Sequence, residues 1–128
     1  METASDVDAL ERLIGQLQGL HKEVLQLGKK SPNDAVNAFK LKLINKVIQQ
    51  GNEVLTGSYR PFADFSQFDS DDVPSVSDVS VILSQYLEQA ERYRSDNVRY
   101  ANGSWQYVVK GAPSGLRAAA PTKIGSEK

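Results

Sequence analysis

Five aspartates crowd one stretch of the chain: Asp64, Asp69, Asp71, Asp72 and Asp78 all fall within residues 57–78. Clustered carboxylates are the usual oxygen donors for a hard cation such as calcium. Here the spacing fails. Asp69-Ser70-Asp71-Asp72 lacks both the turn glycine and the terminal glutamate of an EF-hand loop. Asp78 also has a simpler use as part of a helix cap. No metal and no cofactor are therefore expected. The acidic run reads as a solvated loop that can complement Lys29, Lys30, Lys40, Lys42 and Lys46, within the chain or across an oligomer.

The remaining chemistry-bearing residues are as sparse. His21 is the only histidine. A general base needs an orienting partner and a nucleophile within reach, and the sequence around it supplies no triad and no His-x-x-x-His spacing. A packing or surface role is expected for it. There is no cysteine, which rules out disulfides, a thiol nucleophile and thiolate-held metal. Paired carboxylates are abundant, but a small helical domain offers little cleft in which to hold two of them at a fixed separation. No phosphate-cradling glycine loop, nucleophile elbow or dinucleotide fingerprint is present. No catalytic residue is assigned, and no enzyme is expected.

Two aromatic constellations stand out instead. Tyr59, Phe62, Phe65 and Phe68 lie in the acidic connector, and Trp105 and Tyr107 lie near the C-terminal end. One reading makes the connector rings a cover for the open end of a helical hairpin; the other makes all six an interaction patch for a protein partner. Arg92, Tyr93, Arg94, Arg99 and Tyr100 interleave basic and aromatic side chains, a combination that stacks on single-stranded nucleic acid. The competing reading is a helix face whose arginine stems cover tyrosine rings. A net charge of −1 favours the second.

Helices must position these residues. Leu10, Leu13, Leu17, Leu20, Val24 and Leu27 follow a heptad seam over residues 5–27, with Ser5 and Asp8 as the expected cap. That seam suits an internal core or a homo-oligomer. Gly15 and Gly19, one turn apart, either admit a close neighbour or cost stability on a solvent face. Residues 31–55 form the second expected helix, started by Ser31, Pro32 and Asp34. Val36, Phe39, Leu43, Val47 and Val54 form its apolar stripe, with Ile44, Ile48 and Leu55 beside it. A three-residue joint would make the two an antiparallel αα-hairpin. A short turn starting at Pro61 is expected inside the connector.

Ser75 and Asp78 cap a third helix, with Glu88 and Arg92 as an i,i+4 pair. It is expected to end near Asn97. Beyond it, Asn102-Gly103 between β-prone flanks predicts a hairpin over residues 98–109. That turn pairs Tyr100 with Trp105, Val98 with Tyr107 and Arg99 with Gln106.

With 128 residues, 40% hydrophobic and 24% charged, the chain fits one globular domain. The expected fold is mainly α: a three-helix bundle, built of an antiparallel helical hairpin plus a third helix, with a C-terminal β-hairpin. Residues 1–110 form the domain and 111–128 a flexible tail. The first residues lack a basic and then apolar leader, and no apolar run approaches a membrane span, so a cytoplasmic location is expected and no membrane partner. The functional expectation is a non-enzymatic protein–protein interaction module, an accessory or regulatory subunit. The alternative is a nucleic-acid-associated accessory protein using the Arg/Tyr patch.

Overall fold

A computed structural model describes residues 1–122. Its order is α1 (Ala4–Lys30), α2 (Ala38–Val54), a 3₁₀ turn (Gly57–Tyr59), α3 (Val76–Asp96), then strands β1 (Val98–Ala101), β2 (Ser104–Val109) and β3 (Ala112–Arg117). Three helices and the hairpin are as the sequence predicts. The third strand is not.

The first helix begins earlier than Ser5. Thr3 is the N-cap: its Oγ1 accepts from the Asp6 amide at 3.2 Å, and Asp6 Oδ2 accepts from the Thr3 amide at 3.1 Å. Thr3-x-x-Asp6 repeats the Ser5-x-x-Asp8 pattern two residues upstream and closes a full capping box. The Glu2 and Thr3 amides also hold the Asp6 carboxyl below the ordinary aspartate value. Val7, Leu10, Leu13, Ile14, Leu17 and Val24 are buried, so most of the heptad seam serves the chain's own core. Gly15 and Gly19 face open space, which settles them as a solvent-side cost.

The second helix starts seven residues later than expected, with Asn37 capping the Lys40 amide at 2.8 Å. Ser31 instead ends α1, its amide donating to the Leu27 carbonyl. The reason lies in α3. The Val76 and Ser77 amides open that helix and have no partner within it. They donate to the carbonyls of Asp34 (2.9 Å) and Pro32 (3.0 Å). Val36 donates to Pro74, and Ala35 and Ser75 form an isolated antiparallel bridge. Residues 32–36 are thus held against the end of the connector instead of coiling.

The buried stripe of α2 also differs from the expected one. Leu41, Ile44, Val47, Ile48, Gly51 and Leu55 are buried, whereas Phe39 and Leu43 face solvent. The expected tight αα-hairpin is likewise replaced: a longer joint separates α1 from α2, and the broadest helix interface is α1 against α3. Gly51 lies beneath the Tyr86 ring, close enough that an added Cβ would stand 3.0 Å from Tyr86 Cδ2.

Ser75 caps α3 as expected, accepting from the Asp78 amide at 3.2 Å, and α3 ends at Asp96 with Asn97 as C-cap. The expected Glu88–Arg92 pair is not among the ion pairs of the described residues; Arg94 pairs with Glu91 instead, at 2.9 Å. The Asn102-Gly103 turn has both residues at positive φ, 52° and 85°, the geometry a tight hairpin requires. Its register is the predicted one: Val98 opposite Tyr107, Arg99 opposite Gln106 and Tyr100 opposite Trp105.

Residues 111–117 overturn the flexible-tail expectation. A second tight turn at Lys110-Gly111 (φ 54° and 81°) folds β3 back on β2, giving an antiparallel sheet in the order β1-β2-β3. Side chains supply part of the ladder. Gln106 bridges both edges, its Nε2 donating to the Ala101 carbonyl and its Oε1 accepting from the Gly115 amide, both at 2.9 Å. Ser114 Oγ donates to the Tyr107 carbonyl at 2.6 Å. Residues 123–128 of the expected tail lie outside the described residues.

Candidate functional site

Two asparagines and a glutamine on α2 build the connector's seat. Asn45 grips Phe68 through both backbone groups: Nδ2 donates to its carbonyl (3.0 Å) and Oδ1 accepts from its amide (2.8 Å). One turn on, Gln49 Nε2 donates to Gln67 Oε1 at 2.7 Å. Asn52 Nδ2 donates to the Phe65 carbonyl at 3.3 Å, while its Oδ1 accepts from Tyr86 OH at 2.8 Å. Arg60 donates to the carbonyls of Phe62 and Phe65 at 3.2 and 3.0 Å. Positions 45, 49 and 52 share one helix edge, so their i, i+4, i+7 spacing is the sequence signal for this ladder.

The ladder lays the aromatic residues against the core. Phe62 packs on Phe65 (6.3 Å between centroids) and on Tyr86 (6.4 Å), and Phe65 meets Phe68 edge-on at 5.2 Å. All three rings are half-buried. A single turn closes just after Pro61, the Phe65 amide donating to the Phe62 carbonyl at 3.5 Å, and a 3₁₀ turn precedes it at Gly57–Tyr59. There Tyr59 lies at 4.8 Å from the Tyr93 ring and donates to Asp96 at 2.5 Å. That hydrogen bond, more than burial, pushes the Tyr59 phenol up to about 12. The four connector rings are thus partly buried and packed against the core.

Tyr107 does not belong to a surface patch. It is fully buried, and its hydroxyl donates to Glu11 Oε1 at 2.6 Å. Burial first, and then the Glu11 bond, raises its phenol above the ordinary value. Trp105 is half-buried and touches Tyr100 edge-on at 5.6 Å.

The Arg/Tyr patch is also dispersed. Arg94 is 6% exposed; it donates to Glu91, to the carbonyls of Ala119 (2.8 Å) and Ala120 (3.2 Å), and to Thr122 Oγ1 (2.8 Å). It is a structural pin for the C-terminal segment, which corrects its assignment to a binding surface. Tyr93 is occupied by Tyr59. Arg92, Arg99 and Tyr100 are exposed, but Arg99 and Tyr100 are neighbours on one strand and point to opposite faces of the sheet. No single surface presents them together.

The apolar spacing of α2 predicts Phe39 and Leu43 on its core stripe. They are instead 72% and 41% exposed. With Leu20, Val24 and Ile44 they line a cleft of about 150 Å³ between α1 and α2, spanned by a Lys40–Glu23 ion pair at 3.0 Å.

The connector itself is a ridge between two further grooves, each about 510 Å³. The α2-side groove has Lys42 and Lys46 on an apolar wall of Leu41, Phe68 and Val73. The α3-side groove has Asp69, Asp72 and Asp78 around Phe65, Val73 and Ile82. Gln67, Phe68 and Val73 belong to both. Among the described residues no three His, Cys, Asp or Glu side chains are grouped to hold a metal ion, and no helix is long and apolar enough to cross a membrane. No protein family, no curated protein and no solved structure matches this chain.

Proposed function

We propose that the chain is a non-enzymatic protein–protein interaction module, acting as an accessory or regulatory subunit. One observation carries this reading: the α1 side of α2 leaves the Phe39 ring 72% exposed, beside Leu43, over an apolar cleft. An aromatic anchor next to an apolar pocket with a charged rim is the usual anatomy of a binding hot spot. The cysteine-free sequence suits a reducing compartment such as the cytoplasm.

The test is affinity capture from the native host with the wild-type chain and with Phe39→Asp. The substitution sits at an exposed position and should leave the melting temperature within about two degrees. A specific partner captured by the wild type and lost with Phe39→Asp supports the module. An identical set of captured proteins with both chains overturns this assignment of the surface. The nucleic-acid alternative retains Arg92, Arg99 and Tyr100 and demands salt-dependent binding of a single-stranded oligonucleotide. Absence of binding at low salt removes it.

A further inference from the structure

The two grooves flanking the connector carry opposite charge and share one wall. We propose that the Phe68–Val73 ridge is the centre of a two-fold homodimer. In it the Lys42/Lys46 flank of each copy faces the Asp69/Asp72 flank of the other. A two-fold interface brings a surface against itself, so it must be self-complementary. A patch with lysines on one flank of an apolar ridge and aspartates on the other meets that condition: rotation by 180° about the ridge sets each basic flank opposite the partner copy's acidic flank. The apolar element needed at the centre is present, since Val73 is exposed on the ridge and Val81 on the acidic side.

The charges are also free to pair. The ion pairs of the described residues are Asp8–Arg12, Glu23–Lys40 and Glu91–Arg94, and none uses Lys42, Lys46, Asp69, Asp72 or Asp78. The complementarity expected between acidic connector and lysines is thus not met inside one copy, although both groups border the same ridge. Asn45 and Gln49 fix the first end of the ridge, Phe68 and Gln67, to α2. A ridge with one sign of charge on each flank and no ion pair across it among the described residues is set up to pair between copies.

Light scattering on the purified chain at low salt should give about twice the 14.1 kDa chain mass, with dissociation as salt is raised. K42E/K46E and D69K/D72K should each be monomeric, since like charges then face each other across both halves of the interface. All four positions are exposed, and circular dichroism checks that each variant keeps its fold. Mixed in equal amounts, the two variants should re-form a dimer, because the introduced glutamates of one would then face the introduced lysines of the other. A wild-type chain that stays at single mass overturns the proposal, as does a dimer indifferent to both charge reversals. Either result leaves the Phe39–Leu43 cleft and its capture test standing, because that cleft lies on the α1 side of α2.

Discussion

Glycine has opposite meanings at three positions of this chain. Gly15 and Gly19 stand in α1 with nothing near a would-be Cβ, so they only loosen the helix. Gly51 stands in α2 against the buried Tyr86 ring, which a hydrogen bond to Asn52 holds in place. Gly19→Ala should stabilise by about 0.5–1 kcal/mol through helix propensity and reduced freedom of the unfolded chain. Gly51→Ala should destabilise by about 1–3 kcal/mol, because neither the ring nor the helix can retreat. Urea titration of both variants checks the pair of signs; a stabilised Gly51→Ala would show that Tyr86 can shift. The sequence displays the glycines but not this distinction, which depends on what faces each one across the bundle. Phe39 failed in the same way. Its spacing fits the apolar stripe, but the stripe that is buried in the core is the one through Leu41, Ile44 and Ile48.

Among the elements, those with local signals were legible and those held by distant partners were not. The heptad of α1, the Ser75 cap of α3 and the Asn-Gly turn are each written in one continuous stretch; the cap and the turn appear as expected, and the heptad does so for all but its Leu27 end, which is exposed. Strand β3 has no such signature. Its sequence, APSGLR, is exposed throughout and has no apolar alternation. It is a strand because Gln106, Ser114 and the Lys110-Gly111 turn place it, and because Arg94 collects the carbonyls that follow it. Ending the chain after Lys110 should therefore do more than shed a tail. It strips the buried Arg94 guanidinium of its Ala119, Ala120 and Thr122 acceptors. The Glu91 pair remains, but losing the other hydrogen bonds to this charged group costs about 1.5–3 kcal/mol, which for a domain of this size is several degrees in melting temperature. Calorimetry of the truncated chain provides the check; an unchanged midpoint would make β3 dispensable. The connector was legible in part. Its aromatic content announced a core cover, while the asparagine ladder that seats it required knowing which edge of α2 faces inward.

Across the whole molecule, tyrosines join the elements. Tyr59 links the connector to α3 through Asp96, Tyr86 links α3 to α2 through Asn52, and Tyr107 links the sheet to α1 through Glu11. With Tyr93, all four have phenols raised above the ordinary value of 10.0, Tyr59 to about 12. The sign follows directly. In the unfolded chain each phenol ionises near 10, while the fold keeps it protonated to higher pH. The stabilising contribution is then complete below about pH 10 and is lost as pH rises through the folded values. Stability should hold up to about pH 10 and drop steeply over the next two units, with Tyr107→Phe softening the drop and costing about 1 kcal/mol at neutral pH for the lost Glu11 bond. Chemical denaturation across that window is the measurement, and a flat profile would contradict it.

The bridge between Ala35 and Ser75 has one more consequence. It sews the α1–α2 joint to the end of the connector, so two loops far apart in sequence behave as one seam. Among the described residues, the Val76 and Ser77 amides that open α3 find their acceptors in the Asp34 and Pro32 carbonyls. An insertion at residues 32–36 would therefore unravel the start of a helix about forty positions away, although surface loops ordinarily absorb extra residues at little cost. By that measure the joint is framework, and the exposed hairpin tip at Asn102-Gly103 is the place where this chain has room to grow.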